Sequence, residues 1–159
     1  MKRVVLREIT KENFHECIRL QVAEEQKDNV ASNVYSLAQA KVNSRLFPLG
    51  IYNESVLGRD PLPEEKMVGF LMYQVMDGVG FIMRLMIGEQ YQRSGYGRTV
   101  MVELLRRLKM MPEIEYIGTS VAKGNDYVEK FYRDLGFIDG DKVDQREVYL
   151  KLDWQPGAV

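Results

Sequence analysis

Apolar residues recur along this chain at two spacings, and these predict an alternation of strands and helices. Strand-like runs occupy residues 4–9, 47–52, 67–76, 81–87 and 115–121, and Phe137 and then residues 147–152 supply the last strands. Helical spacing occupies residues 10–20, 33–44, 99–110 and 126–135. The predicted element order is therefore βααβββαβαβ, which is typical of a mixed α/β layer.

The two most apolar segments, MVGFLMYQVM (67–76) and FIMRLMI (81–87), predict the centre of the sheet. Because both are apolar at almost every position, we expect them to be covered on both faces. The segment Asp77-Gly78-Val79-Gly80 between them predicts an antiparallel hairpin. The helix over residues 99–110 carries an apolar stripe that we expect to be buried, at Val100, Met101, Leu104, Leu105 and Leu108.

Capping and turn residues indicate where several elements begin and end. Thr10 predicts the start of the first helix, and Ser32 or Asn33 predicts the start of the second. Gly136 suits the left-handed position that ends the last helix. Charge, proline and glycine over residues 54–66 predict a loop. The first helix would bury the apolar face formed by Phe14, Cys17, Ile18 and Val22.

Composition narrows the class of protein. The chain has 159 residues and a formal net charge of −1, so we expect one domain over residues 1–159 and no nucleic-acid partner, which would favour a basic excess. Neither a signal peptide nor an apolar run of about 20 residues is present, which predicts a cytoplasmic protein without a membrane span. Because Cys17 is the one cysteine and His15 the one histidine, we expect no metal site.

The stretch QRSGYGR (92–98) lies between a predicted strand and a predicted helix. Backbone N–H groups at a helix start are unpaired and attract anions, so Ser94 to Arg98 predict a phosphate or pyrophosphate site, with charge from Arg93 and Arg98. The spacing fits neither a P-loop nor a dinucleotide fingerprint. From spacing alone, Gly95 and Gly97 are explained equally well as shaping a turn.

Two motifs resemble the GNAT superfamily of N-acetyltransferases. Residues 92–97 have the form Q/R-x-x-G-x-G/A of its acyl-CoA pyrophosphate loop, and GNDYVEKFYRDLGF (124–137) resembles its N-x-x-x-x-x-F-Y-x-x-x-G-F segment. The resemblance spans nearly the whole chain, because the element order also matches. It implies acetyl-CoA as the acetyl donor, no metal, and a mixed central sheet whose central strands splay apart between flanking helices.

The resemblance also implies roles for individual residues. Tyr132 would protonate or hydrogen-bond the departing thiolate of CoA, and Asn125 would either bind the pantetheine arm or serve only as a helix N-cap. A backbone N–H near Leu85 or Met86 would stabilise the oxyanion. Acetyl-CoA would contact the pyrophosphate loop residues Gln92, Arg93, Ser94, Gly95, Tyr96, Gly97 and Arg98, and the strand residues Leu85, Met86 and Ile87.

The base that deprotonates the acceptor amine is not identified by the sequence. Many relatives use a glutamate on a central strand, but residues 67–76 and 81–87 contain no carboxylate. Glu24, Glu25 and Glu115 are alternatives that would act through water, and each also suits an exposed surface. We expect His15 to be structural. No arrangement activates Cys17 as an acyl carrier, which favours direct transfer in a ternary complex.

The acceptor is predicted from LQVAEEQKDNVASNVYSLAQA (20–40), which resembles bacterial spermidine/spermine (diamine) N-acetyltransferases. Glu24, Glu25 and Asp28 would bind the ammonium groups of a polyamine, and Tyr35 would line an amine channel through cation–π contact. Other amine acceptors, such as an aminoglycoside, an amino acid or a protein N-terminus, stay open, as does a non-catalytic acyl-CoA-binding module. Because relatives are often dimers, a homodimer is also an expectation.

Overall fold

The computed structural model describes residues 2–54 and 65–153, and seven strands in these ranges form one mixed sheet. The strands are β1 Val4–Glu8, β2 Leu46–Asn53, β3 Met67–Met76, β4 Val79–Ile87, β5 Tyr116–Ala122, β6 Ile138–Val143 and β7 Glu147–Asp153. The helices are α1 Phe14–Arg19, α2 Asn33–Val42, α3 Tyr96–Lys109 and α4 Asp126–Asp134. The predicted single-domain α/β fold is confirmed.

One strand of the sheet was not in the predicted element order. Across the sheet the strands are arranged β1-β2-β3-β4-β5-β7-β6. Along the chain the order is βααβββαβαββ, which has one strand more than the predicted βααβββαβαβ. The additional strand is β6, which begins directly after Phe137, a residue predicted to lie in a strand. This strand reads IDGDKV and lies at the edge of the sheet with nearly every residue exposed. A polar edge strand buries no apolar face, and it therefore produces no hydrophobic pattern.

The central strands β4 and β5 diverge, as predicted. They are the one parallel pair of the described sheet, and they pair only from Val79 with Tyr116 to Ile82 with Thr119. The Thr119 hydroxyl donates to the Ile82 carbonyl over 3.0 Å at this last paired position. Beyond it, both strands continue without pairing to each other, which leaves a gap in the sheet.

A β-bulge in β4 lies at the point of divergence. Tyr73 of β3 pairs with Ile82, whereas Met72 pairs with Arg84, so Met83 is an extra residue on β4. Such a bulge bends its strand and increases the local twist. The bulge therefore helps to direct the end of β4 away from β5.

The hairpin between β3 and β4 is tighter than predicted. Positive φ angles at Asp77 (52°) and Gly78 (81°) suit a two-residue turn of the type that matches strand twist. As a result, β4 begins at Val79 rather than at Phe81.

The core has one layer on each face of the sheet, so the expected cover on both faces of β3 and β4 is confirmed. Helices α3 and α4 pack on one face, where the whole predicted stripe of α3 is buried. Helices α1 and α2 pack on the other face, around Cys17, Phe70 and Met86. Any molecule in the gap between β4 and β5 therefore meets both layers.

Helix ends follow the predicted chemistry except at α1. The Ser32 hydroxyl accepts from the backbone N–H of Tyr35 (3.1 Å), which confirms the predicted cap of α2, and Gly136 follows α4 with a φ of 100°. Helix α1 is shorter than predicted because Thr10 and Asn13 form a separate turn, in which the Asn13 side chain accepts from the Thr10 N–H over 2.7 Å. The loop predicted over residues 54–66 lies largely outside the described residues.

Candidate functional site

A cavity of about 850 Å³ opens where β4 and β5 diverge. Its walls are the ends of these two strands, the loop before α3, the first turns of α3 and α4, the segment before α2 and the start of β7. Most of the residues that the sequence predicts to bind the acetyl donor line these walls. The lining includes Leu85, Met86, Ile87, Gln92, Arg93, Gly95, Tyr96, Gly97, Arg98, Asn125 and Tyr132.

The backbone of β4 alternates in direction along the cavity wall. The Gly88 N–H donates to the Val68 carbonyl over 2.9 Å, and a Cβ added at Gly69 would collide with the Met86 carbonyl oxygen, so the peptide groups of residues 86 and 88 face β3. Residues 85 and 87 therefore present theirs to the gap. The predicted contact between backbone groups of this strand and acetyl-CoA is therefore compatible with the directions of Leu85 and Ile87. For Met86 the prediction was wrong, because its N–H and C=O are directed at β3.

The loop before α3 presents backbone N–H groups to the cavity. Gly95 is the N-cap of α3 with a φ of 87°, and no side chain caps the helix. Among the described residues, a Cβ added at Gly97 would meet only the Phe131 ring, at 3.7 Å, so their packing does not require glycine there. The space beside Gly97 is therefore available to a ligand, in agreement with an anion site at this helix start.

Charged side chains accompany this helix start. Arg93 and Arg98 both line the cavity, and the described residues offer neither of them an ion-pair partner. Arg93 also has a positive φ of 60°, which helps to turn the loop. Ser94 is exposed outside the lining, and its hydroxyl donates to the Gln92 carbonyl over 3.3 Å.

Tyr132 is the buried residue of α4, and it lines the cavity from the core layer between this helix and the sheet. It is 5% exposed, and its ring meets Phe131 and Phe137 edge-on at centroid distances of 5.3 Å. Burial raises the pKa of Tyr132 to about 12, with an opposing contribution from the nearby Thr119 hydroxyl. The phenol therefore stays protonated at neutral pH and can donate a hydrogen bond into the cavity.

Asn125 is the N-cap residue of α4, but its side chain makes no capping hydrogen bond. It lines the cavity instead. Of the two roles considered from the sequence, the N-cap role is thus met by backbone position alone, and the side-chain amide stays available for a ligand.

The predicted acceptor residues are only partly gathered at the cavity. Glu25 lines it, in a short 3-10 helix over Glu24–Gln26. Glu24 is exposed and pairs with Lys27 at 2.5 Å. Asp28 and Tyr35 are exposed and are not part of the lining.

Two other candidates for the base lie away from the cavity. The His15 ring packs against Phe14 with a centroid distance of 4.7 Å, and both residues are exposed on α1. Glu115 lies beside Gly78, at the end of β4 opposite to the gap. This leaves Glu25 as the one cavity-lining carboxylate among the residues considered from the sequence.

Sequence reasoning missed two charged residues of the lining, Arg84 and Glu147. Arg84 donates to the Met83 carbonyl (3.0 Å) and to the Gln39 side chain (3.3 Å), but its Nε is buried without a partner among the described residues. Burial lowers the pKa of Arg84. Glu147 begins β7, and the described part of the chain offers its carboxylate neither a hydrogen bond nor an ion pair.

The described residues offer neither a metal-binding cluster nor a membrane-spanning helix. No group of three or more His, Cys, Asp or Glu side chains in residues 2–54 and 65–153 is arranged to hold a metal ion. In the same ranges, no helix has the length and apolar character needed to cross a membrane.

Comparisons with known proteins place this chain among acetyltransferases. The model of the acetyltransferase (GNAT) family matches residues 6–137. A spermine/spermidine N(1)-acetyltransferase from Bacillus subtilis (strain 168) is 25% identical over 158 residues, covering 90% of this chain and 97% of that protein.

Solved structures share the fold at low sequence identity. A domain from Methanocaldococcus jannaschii DSM 2661 has a TM-score of 0.75 and 14% identity, covering 97% of this chain and 100% of that one. The spermidine N-acetyltransferase from Vibrio cholerae, in complex with CoA and spermine, has a TM-score of 0.68 and 12% identity, covering 94% of this chain and 93% of that one. The PaiA N-acetyltransferase from Thermoplasma acidophilum, in complex with coenzyme A, has a TM-score of 0.65 and 16% identity, covering 95% of this chain and 99% of that one.

Proposed function

Because this chain belongs to the acetyltransferase (GNAT) family and is an acetyl-CoA-dependent N-acetyltransferase, we propose that its acceptor is a primary amine of a polyamine of the spermidine, spermine or putrescine type. The observation that carries this proposal is the pair of cavity-lining carboxylates, Glu25 and Glu147, for which the described residues provide no cationic partner. A polycation would supply the missing charge. The Bacillus subtilis relative, which acts on spermine and spermidine by its name, supports the same choice.

We assign the donor side of the cavity to acetyl-CoA, which supplies the acetyl group as a thioester. The free N–H groups of Gly95 to Arg98 and the side chains of Arg93 and Arg98 would hold its pyrophosphate. The outward peptide group of Leu85, the N–H of Ile87 and the side chain of Asn125 would hold the pantetheine arm. The Ile87 carbonyl itself accepts from the Gln92 side chain over 2.9 Å. The absence of a Cβ at Gly97 leaves room for this ligand.

Tyr132 would assist the departure of the thiolate. A phenol whose pKa is raised to about 12 is protonated throughout the neutral range, so it can donate a hydrogen bond to sulfur as negative charge develops there. Its ring is held by Phe131 and Phe137, which fixes the direction of the hydroxyl. Rigid placement of this kind is what such a donor requires.

We infer direct attack by the amine rather than an acyl-cysteine intermediate. Cys17 is fully buried among the side chains beneath α1 and α2, and it does not line the cavity. Burial raises the pKa of its thiol to about 12, and the nearby Glu16 carboxylate adds to this effect. A thiol that stays protonated is a poor nucleophile.

An amine panel tests the acceptor. Spermidine, spermine, putrescine, an aminoglycoside, free amino acids and a peptide with a free N-terminus would each be incubated with acetyl-CoA, and CoA release and acetylated product would be measured. We expect the polyamines to have the highest kcat/KM. If all three polyamines fail while another amine is acetylated, the polyamine assignment is wrong.

Arg84 favours a second acceptor class, a free amino acid. Its guanidinium lines the cavity with a buried Nε that has no partner among the described residues, and burial lowers the pKa of Arg84. The carboxylate of an amino acid would supply an anion there. In the same panel, this class predicts turnover of amino acids and a loss of that turnover in Arg84→Gln.

A further inference from the structure

We propose that Glu147 takes the first proton from the acceptor ammonium. This inference rests on the proposed function only in requiring an amine acceptor. An alkylamine has a pKa of about 10, so it is protonated at neutral pH and must lose a proton before it attacks a thioester. Strands β3 and β4 contain no carboxylate to receive that proton.

The register of the sheet places Glu147 on the face of the sheet that is covered by α1 and α2, the helices that flank the predicted acceptor segment. In β7 it pairs directly with Ala122 of β5, and residues opposite each other in an antiparallel pair lie on the same face. Its neighbour Val148 and the paired Val121 belong to the core layer that contains Tyr132. Because side chains alternate along a strand, Glu147 and Ala122 lie on the opposite face, the one covered by α1 and α2.

A ring contact supports this orientation. Tyr149 lies two residues after Glu147, so the two side chains share one face of β7. The Tyr149 ring contacts the Phe81 ring of β4 with a centroid separation of 6.5 Å, so side chains on this face of β7 reach across β5 towards β4. Tyr132 therefore approaches the gap from one layer and Glu147 from the other. A thioester between them would have its hydrogen-bond donor and its proton acceptor on opposite sides.

Glu147 is suited to this role by its backbone and its surroundings. It is half-buried, and its N–H donates to the Asp144 side chain over 3.2 Å, which fixes the start of β7. Lys123, Asp144 and Arg146 are the charged residues around this strand end, and Glu25 and Arg84 line the same cavity. Glu25, on an exposed 3-10 helix, is better placed to bind a second ammonium group of the acceptor.

In the proposed step the acceptor nitrogen loses two protons, one to Glu147 and one to the departing sulfur. The ammonium gives one proton to the Glu147 carboxylate, and the lone pair that this exposes forms the bond from nitrogen to the acetyl carbon. The bond from that carbon to sulfur breaks, and the electron pair leaves on sulfur, which is stabilised by the Tyr132 hydroxyl. The second nitrogen proton passes to the thiolate, and Glu147 returns its own proton to solvent.

The test is Glu147→Gln, which keeps the shape of the side chain and removes its basicity. With the acceptor that the wild type uses best, we expect kcat/KM at pH 7 to fall about 10²- to 10⁴-fold while the Kd of acetyl-CoA is unchanged. The deficit should shrink as the pH approaches about 10, where the acceptor amine is neutral without a base. Glu147→Asp should keep more activity than Glu147→Gln at pH 7.

The control is Asp153→Asn, which removes a carboxylate at the far end of the same face of β7 and should leave the rate unchanged. An equal deficit of Glu147→Gln at pH 7 and pH 10, or none at either, would overturn the proposal. Because the acceptor in this assay is whichever amine the wild type uses, failure of the polyamines in the panel is distinguished from failure of Glu147 as the base.

Discussion

The side-chain amide of Gln92 donates to the side-chain oxygen of Gln26 over 2.8 Å. The same amide nitrogen donates to the Ile87 carbonyl over 2.9 Å, and the Gln26 oxygen also accepts from the Ala23 N–H over 3.2 Å. Two side chains thus connect the end of β4, the predicted pyrophosphate loop and the predicted acceptor segment. Donor and acceptor sites therefore share one hydrogen-bond network.

Breaking this network should weaken both sites together. A hydrogen bond stabilises a protein by a net free energy of about 0.5–1.5 kcal/mol. Gln92→Leu should therefore raise the acetyl-CoA Kd and the amine KM by roughly 2- to 10-fold each. Gln26→Leu should do the same. In the double variant, we expect less than the sum of the two free-energy changes, since both substitutions remove the same bond. Strict additivity, measured by calorimetry and steady-state kinetics, would show that the residues act independently.

The role of Gly97 can be separated from its effect on folding. Because an added Cβ meets only the Phe131 ring at 3.7 Å, Gly97→Ala should leave the free energy of unfolding unchanged or raise it by about 0.5–1 kcal/mol. The same methyl group should raise the acetyl-CoA Kd by roughly tenfold or more if the pyrophosphate lies there.

Gly95→Ala is the comparison for stability alone, because Gly95 also belongs to the proposed pyrophosphate site. Its positive φ predicts a loss of about 1 kcal/mol of stability, although no atom of the surrounding residues in 2–54 and 65–153 lies within 4 Å of the added carbon. An acetyl-CoA Kd equal to that of the wild type in Gly97→Ala, and in Gly97→Trp, would argue against the pyrophosphate site.

Tyr132→Phe should separate catalysis from binding. The phenylalanine ring keeps the edge-on contacts with Phe131 and Phe137, so the fold and the acetyl-CoA Kd should be unchanged. Loss of the hydroxyl should lower kcat by roughly 10²- to 10⁴-fold. In the wild type, the raised pKa of Tyr132 predicts no loss of activity from its ionisation below about pH 11. A kcat within a few-fold of the wild type would remove Tyr132 from the mechanism.

Cys17 should not be needed for turnover, but its thiol should affect the free energy of unfolding at alkaline pH. Cys17→Ala should keep kcat within a few-fold of the wild type, and the native thiol should resist alkylation at pH 8 because burial keeps it protonated. Its folded pKa is raised from 9.0 to about 12, so the folded state binds the proton more tightly. The resulting stability is present below about pH 9 and is lost as the pH rises towards 12.

The difference between the unfolding free energies of the wild type and Cys17→Ala should therefore shrink over this pH range. A constant difference, or rapid alkylation of the folded protein, would show that the thiol is accessible.

Local patterns predicted most of the elements, because their signals are short-range. The span of β3 matches the apolar run at residues 67–76, and the buried stripe of α3 matches its helical spacing. The edge strand β6 gave no such pattern because it buries almost nothing. The direction of the Met86 backbone groups depends on the pairing of β4 with β3, where Met86 lies opposite Phe70. The spacing of apolar residues within one segment does not predict such a pairing.

The acceptor side of the site was harder to predict for a similar reason. Glu147 becomes a cavity residue only through the pairing of β7 with β5, and Gln26 meets Gln92 across 66 positions of sequence. In sequence, EEQKD also has the composition of an exposed linker, and Glu24 and Asp28 are indeed exposed. Long-range contacts decide which carboxylates reach the cavity.

A crystal structure of the protein with CoA and spermidine is the most direct test of the proposed reaction. We expect the pyrophosphate at the N–H groups of Gly95 to Arg98, the pantetheine arm along Leu85 and Ile87, and the reacting nitrogen of spermidine beside Glu147. Binding of CoA outside the gap between β4 and β5, or of spermidine away from both Glu25 and Glu147, would contradict the proposed site and its acceptor.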